Sequence, residues 1–206
     1  MKLLLTGFEP FGELDRNPTE ELVIKIKEEG FEGVDIRSLV LPVVYESCFD
    51  ALKKNMDEWK PDAVLSLGVA VGRSAISVER IAINIQDVAA DRSDNNGHAP
   101  VDRKIDPEGP DAIFTTLPYR TIVSRLVEGG IPSEVSNTAG TYICNTTMYQ
   151  ALAHAKNVST CRFTGFIHVP ASPAMTVAKP HLASMDVETQ LKAVKTIIQV
   201  LKEELS

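Results

Sequence analysis

The feature that most constrains this sequence is an alternation of two apolar periodicities along almost its whole length. Short apolar runs rich in β-branched residues take turns with stretches whose apolar residues recur at spacings of three and four. The first pattern is that of a buried strand, and the second is that of a helix burying one stripe. Their alternation is the mark of helices packed on a sheet, an α/β fold. Lys2 to Thr6, Ile36 to Val43, Ala63 to Leu67 and Phe163 to Val169 read as strands, with an extended stretch over Ala75 to Ile85 and a short strand over Ser133 to Ser136.

Helix signals fall between them. Asn17-Pro18-Thr19-Glu20 offers an N-cap, a proline at the first helical position and an acid at N3, so a helix runs from there to about Glu29. Tyr45, Cys48, Phe49, Leu52, Met56 and Trp59 share one stripe of a second helix. Ile122, Val123, Leu126 and Val127 mark a third, ended by Gly129-Gly130. A fourth begins near Cys144, after the break at Thr138-Ala139-Gly140, and runs to about Lys156. Val187, Leu191, Val194, Ile198, Leu201 and Leu205 keep helical spacing to the terminus. Asp87 to Pro110 is polar, with Asn95-Asn96-Gly97 and three prolines, and is expected to be a long excursion able to cover a site.

Length and charge narrow the possibilities. A chain of 206 residues with 44% apolar content can bury one real core but not two ordinary ones, so one domain is expected over 1–206. No apolar run approaches the ~20 residues of a membrane span. Met1 leads straight into Lys2-Leu3-Leu4-Leu5 without a signal-peptide pattern, and the expectation is a cytoplasmic protein. The formal net charge of −7, with no clustering of Lys and Arg, argues against nucleic acid or anionic membrane as a partner. Cys48, Cys144 and Cys161 form neither a C-x-x-C pair nor a dense disulfide framework, which suits free thiols in a reducing compartment.

Of the three thiols, Cys144 stands at a helix start after a glycine turn, where free backbone N–H groups and the macrodipole favour a thiolate. The competing reading is a small buried hydrophobe, which is what most free cysteines are. That reading is preferred for Cys48, on a core stripe, and for Cys161, which has no comparable turn. A thiol nucleophile needs a base that takes its proton and returns it to the leaving group, a task suited to imidazole. Among His98, His154, His168 and His181, the one ending a buried strand is His168, where open α/β sheets carry their active residues. Glu79 lies in an apolar extended stretch, where an acid is costly without a partner, and could orient that imidazole. Adjacent Arg80 offers an alternative, a local ion pair with no chemical role. There is no H-E-x-x-H, G-x-S-x-G or phosphate-loop motif.

Four segments together resemble one family, the type I pyroglutamyl peptidases, also called pyrrolidone-carboxylate peptidases. They are Thr6-Gly7-Phe8-Glu9-Pro10-Phe11-Gly12 with Asn17-Pro18, Gly72-Arg73 through Ile76-Ser77-Val78-Glu79-Arg80-Ile81-Ala82-Ile83-Asn84, Ser136 through Asn145, and Gly165-Phe166-Ile167-His168-Val169-Pro170. The resemblance spans nearly the whole chain. It implies a three-layer α/β/α domain around a mixed sheet, a triad on Cys144, His168 and Glu79, and a pyroglutamate pocket on Phe8, Phe11, Asn17, Tyr142 and Ile143. It further implies N-terminally pyroglutamylated peptides as substrates, a pyroglutamyl thioester on the cysteine, no metal or organic cofactor, and a homo-oligomer such as a tetramer. Three departures bear on the site: Val69 where bacterial members commonly carry Gln, the longer Ala89 to Gly97 loop, and Ala171 to Met175 after the histidine. Another cysteine amidohydrolase with a drifted pocket and a non-catalytic binding protein are the alternatives.

Overall fold

In the computed structural model, residues 1–12 and 14–205 are described. Among the described residues, eight strands form in chain order: β1 (Lys2–Phe8), β2 (Asp35–Leu41), β3 (Ala63–Val69), β4 (Ile76–Glu79), β5 (Ile81–Ile83), β6 (Ala112–Phe114), β7 (Ser133–Ser136) and β8 (Phe163–Val169). Six of them make a sheet in the order β2-β1-β3-β8-β4-β7. β2, β1, β3 and β8 are mutually parallel, whereas β4 runs antiparallel to β8 and carries β7 parallel to itself, so the sheet is mixed. Every residue of the central strands β3 and β8 is buried, which is why their sequences are continuous runs and not alternating ones.

Both faces are covered. Leu3, Leu5, Leu65, Leu67, Ile167 and Val169 pack against helices α1 (Pro18–Glu29), α3 (Tyr119–Glu128) and α6 (Val187–Glu204). Leu4, Val64 and Phe166 point the other way, onto α2 (Asp50–Trp59) and α4 (Ile143–Ala155). The result is the expected three layers of helix, sheet and helix. α1 starts as its sequence directs: the Asn17 side chain accepts from the Thr19 N–H at 3.1 Å, and Pro18 opens the helix.

Four departures from the sequence reading have physical causes. α2 begins at Asp50 and not near Tyr45, because the Tyr45 N–H is drawn to the buried Asp94 carboxylate at 3.0 Å and Tyr45 to Phe49 form turns. The extended stretch Ala75 to Ile85 breaks at Arg80, where the chain leaves the main sheet. The Arg80 N–H donates to the Ser136 carbonyl at 2.8 Å, and its own carbonyl accepts from Thr115 at 2.9 Å. β5 beyond that break pairs with β6, a strand too short to show periodicity, in a separate two-stranded sheet. A one-turn helix, α5 (Pro173–Thr176), follows β8 with proline at its first position.

The polar excursion from Asp87 to Pro110 folds back over the ends of β1 and β2. Asp94 anchors it by accepting from the backbone N–H groups of Tyr45, Asn96 and His98 at 3.0, 2.9 and 2.8 Å. Asn95 reaches Glu9 Oε1 at 2.8 Å. The excursion thereby borders the loop after β1, beside the carboxyl ends of the parallel strands.

Candidate active site

That edge of the sheet gathers the groups singled out in the sequence. Phe8 closes β1, Gly68 and Val69 close β3, and His168 lies one residue from the end of β8. Successive strand residues face opposite ways, so His168 shares the face of Phe166, the face that α4 covers. Ser77 and Glu79 of β4 share one face by the same rule, and Ser77 and Glu79 stand opposite His168 and Phe166 in the antiparallel register. Glu79 therefore reaches His168 diagonally: its Oε1 lies 2.8 Å from His168 Nδ1. Glu79 is 0% exposed and His168 4%. A carboxylate only accepts hydrogen bonds, so this contact places a proton on Nδ1, and in the neutral imidazole Nε2 keeps its lone pair.

Cys144 is the second residue of α4, in the first turn, where backbone N–H groups have no partner inside the helix. Its thiol lies over Gly68: a Cβ at that position would sit 3.0 Å from Cys144 Sγ and 2.7 Å from the Phe166 ring. Gly68 is paired with His168 across β3 and β8. The glycine thus opens the space in which the thiol rests against the sheet, next to the strand position of the imidazole.

The state of that thiol differs from the sequence expectation. The helix start was expected to favour a thiolate, but burial pushes the Cys144 thiol up to about 12, and the Glu79 carboxylate adds to the rise. The Cys144 backbone N–H and Arg73 act in the opposite direction without overcoming it. The start of α4 is partly covered. The Tyr142 hydroxyl donates to the Ser93 carbonyl at 3.0 Å, and Thr141 donates to the Asp87 carbonyl, so the excursion closes over this turn. Burial here favours the neutral thiol over the thiolate.

A second correction concerns the partner of Glu79. Arg80, one residue away, makes no ion pair with Glu79, and its Nε is buried without a hydrogen-bond partner. The ion pair is made by Arg73, whose Nη1 donates to Glu79 Oε1 at 2.7 Å and whose Nη2 donates to the Thr138 carbonyl at 3.0 Å. Arg73 belongs to the Gly72-Arg73 motif but was not singled out, because a turn residue carries no periodicity that would aim it at the sheet.

Phe8, Phe11, Asn17, Tyr142 and Ile143 lie together with Val43, Gly68, Val69 and Cys144 around a narrow pocket with about 10 Å³ of room. Phe11 packs on Tyr142 with ring centroids 6.1 Å apart, and Tyr45 meets Tyr142 edge-on at 5.7 Å. Asn17 also has structural work, since its Nδ2 donates to the Glu9 carbonyl at 3.1 Å. Val43 and Gly68 were missed as pocket residues; their sequence signal is that of an ordinary strand end. Val69, noted as a departure, is a wall of the pocket.

The remaining candidates lie elsewhere. Cys48 is fully buried in the core under α2, and burial pushes its thiol up to about 11. Cys161 is half-buried with its sulfur 3.1 Å from Thr164 Oγ1. His154 pairs with Asp57 at 2.7 Å, His98 sits in the excursion, and His181 is exposed. Among the described residues, no group of three or more His, Cys, Asp or Glu could hold a metal ion, and no helix is long and apolar enough to cross a membrane.

Comparison with known proteins gives a consistent result. The profile of the family described as pyroglutamyl peptidase matches residues 1–204. The pyrrolidone-carboxylate peptidase of Finegoldia magna is 42% identical over 202 residues, covering 98% of this chain and 93% of its own. That of Pyrococcus furiosus is 43% identical over 209 residues, covering 100% of both. A solved structure of pyrrolidone carboxyl peptidase from P. furiosus superposes with a TM-score of 0.95 at 42% identity, over 100% of each chain.

Proposed function

The chain belongs to the pyroglutamyl peptidase family, and from that premise we propose that it is a cysteine peptidase removing the N-terminal pyroglutamyl residue from peptides through Cys144, His168 and Glu79. The observation that carries this reading is the buried 2.8 Å contact of Glu79 with His168, with the Cys144 thiol over the neighbouring glycine of the sheet.

In the proposed reaction, His168 Nε2 takes the thiol proton as Cys144 Sγ attacks the carbonyl carbon joining pyroglutamate to the next residue. The negative charge that develops on the carbonyl oxygen is met by the unpartnered N–H groups of the first turn of α4, that of Cys144 foremost. As the intermediate collapses, the C–N bond breaks and the imidazolium gives its proton to the departing amine. The pyroglutamyl thioester left on Cys144 is then attacked by water, whose proton His168 takes. The C–S bond breaks, pyroglutamate leaves, and the proton returns to the sulfur. Glu79 holds the Nδ1 tautomer and stabilises the imidazolium in both half-reactions. This assignment suits a neutral resting thiol, because deprotonation and attack then occur only with a carbonyl in place.

The pocket supports the substrate class. A pyroglutamyl cap is a small flat uncharged ring, and rings are offered to it by Phe8, Phe11 and Tyr142, with Ile143 and Asn17 beside them. We read residues 1–206 as a single peptidase domain acting in the cytoplasm as a homo-oligomer, a tetramer by family resemblance. Sedimentation of the purified protein tests the assembly.

The deciding experiment is release of a reporter amine from a pyroglutamyl amide by the purified protein. Turnover should be abolished in Cys144→Ala and retained in stably folded Cys48→Ala and Cys161→Ala. Full activity of Cys144→Ala would remove the nucleophile assignment.

A further inference from the structure

We propose that Arg73 is a positioning residue for this reaction: its guanidinium holds Glu79 against His168 and ties that carboxylate to the loop that delivers Cys144. The proposal rests on the reaction assigned above. Its geometry is a fork across three segments. Arg73 stands in the turn after β3, where its N–H bonds the Ala70 carbonyl at 3.2 Å. One terminal nitrogen, Nη1, meets Glu79 Oε1 at 2.7 Å at the end of β4 and approaches Ser136 Oγ at 3.5 Å. The other, Nη2, meets the Thr138 carbonyl at 3.0 Å, in the connection that leads from β7 into α4.

Glu79 needs such a partner. Its side chain is fully buried, and its Oε2 has no hydrogen-bond partner, so both of its polar contacts converge on Oε1. A buried carboxylate without a compensating cation is costly, and a neutral imidazole does not supply that charge. Without Arg73, Glu79 would be held through one contact alone and free to turn Oε1 away from Nδ1. A lysine could keep the charge but not the fork, because a single ammonium does not present two coplanar donors to two acceptors.

The charge has its own consequence. Among the described residues, the ionisable groups at this edge are Glu79 from β4, in contact with the imidazole, Arg73 from the turn after β3, on Glu79, and the Cys144 thiol from α4, over Gly68; on β8 itself the neighbour is the Phe166 ring, 4.9 Å away centroid to centroid. Removing the guanidinium leaves the carboxylate unopposed beside His168 and favours the imidazolium. The acid limb of kcat/KM then moves to higher pH.

Arg73→Lys and Arg73→Met are the test, each checked for folding by thermal melting. Arg73→Lys should lower kcat about tenfold or more, since small misplacements of reacting groups are that costly, while KM stays within about twofold and the acid limb stays in place. Arg73→Met should lose more and show the shifted limb. Both should slow alkylation of Cys144 by iodoacetamide at neutral pH, a readout needing no substrate. Two folded variants with wild-type kcat, pH profile and alkylation rate would overturn the proposal. If Arg73→Met does not fold, Arg73→Lys alone decides. If the wild type fails to turn over pyroglutamyl amides, the assigned reaction falls, and the alkylation rates still decide whether Arg73 aligns the base with the thiol.

Discussion

Glu79 and His168 stand 89 positions apart in the chain and share a 2.8 Å contact in which neither residue is more than 4% exposed. Glu79→Gln keeps the shape and an acceptor oxygen but removes the charge that stabilises the imidazolium and balances Arg73. We expect kcat on a pyroglutamyl reporter amide to fall by roughly 10²- to 10⁴-fold with KM little changed. Steady-state kinetics check this, and a variant within about threefold of wild type would take Glu79 out of the mechanism.

Gly68 is required by space and not by backbone freedom. The extra methyl of Gly68→Ala would meet the Phe166 ring at 2.7 Å and the Cys144 sulfur at 3.0 Å, and both must shift. The expected outcome is a loss of about 1–3 kcal/mol in stability, from overpacking, with a fall in kcat of about tenfold or more, from the displaced nucleophile. Denaturant titration and initial rates measure the two together; unchanged values for both would place the sulfur elsewhere.

Alkaline pH should loosen the fold. The ordinary thiol value is 9.0, and burial raises Cys48 to about 11 and Cys144 to about 12. Between these values the unfolded chain releases protons that the folded chain keeps. The stabilisation is complete below pH 9 and is lost as pH rises through the folded values. Denaturation midpoints should therefore be flat from about pH 7 to 8.5 and fall above it. A midpoint that holds to about pH 11 would contradict the raised values of both thiols.

Selectivity should follow from the pocket. Prolyl amides lack the lactam carbonyl and carry a cationic amine, and glutamyl amides bring two charges toward apolar walls. A site that pairs a substrate's polar groups can reject analogues lacking them by about 10⁴-fold, and kcat/KM should favour pyroglutamyl over prolyl by roughly that order. Phe11→Ala removes the ring packed on Tyr142 at 6.1 Å and should narrow the gap. Prolyl turnover within about tenfold of pyroglutamyl in the wild type would sink this account of the pocket.

The sequence by itself determined the alternation of strands and helices and the helix starts at Asn17 and near Cys144, and it pointed to Cys144, His168 and Glu79. Each of these is written in a residue's own neighbourhood, as a burial period, a capping side chain or a glycine turn. Tertiary structure alone decided that β4 runs against β8, that the chain changes sheets at Arg80, and that α2 waits until Asp50. Those outcomes depend on backbone partners such as Ser136, Thr115 and Asp94, which no local window contains. The same holds within the site. Arg80 is nearer to Glu79 in the chain, but the chain leaves the sheet there and a turn brings Arg73 to the carboxylate. The helix start at Cys144 favours a thiolate locally, but desolvation depends on everything packed around the sulfur and raises the thiol instead.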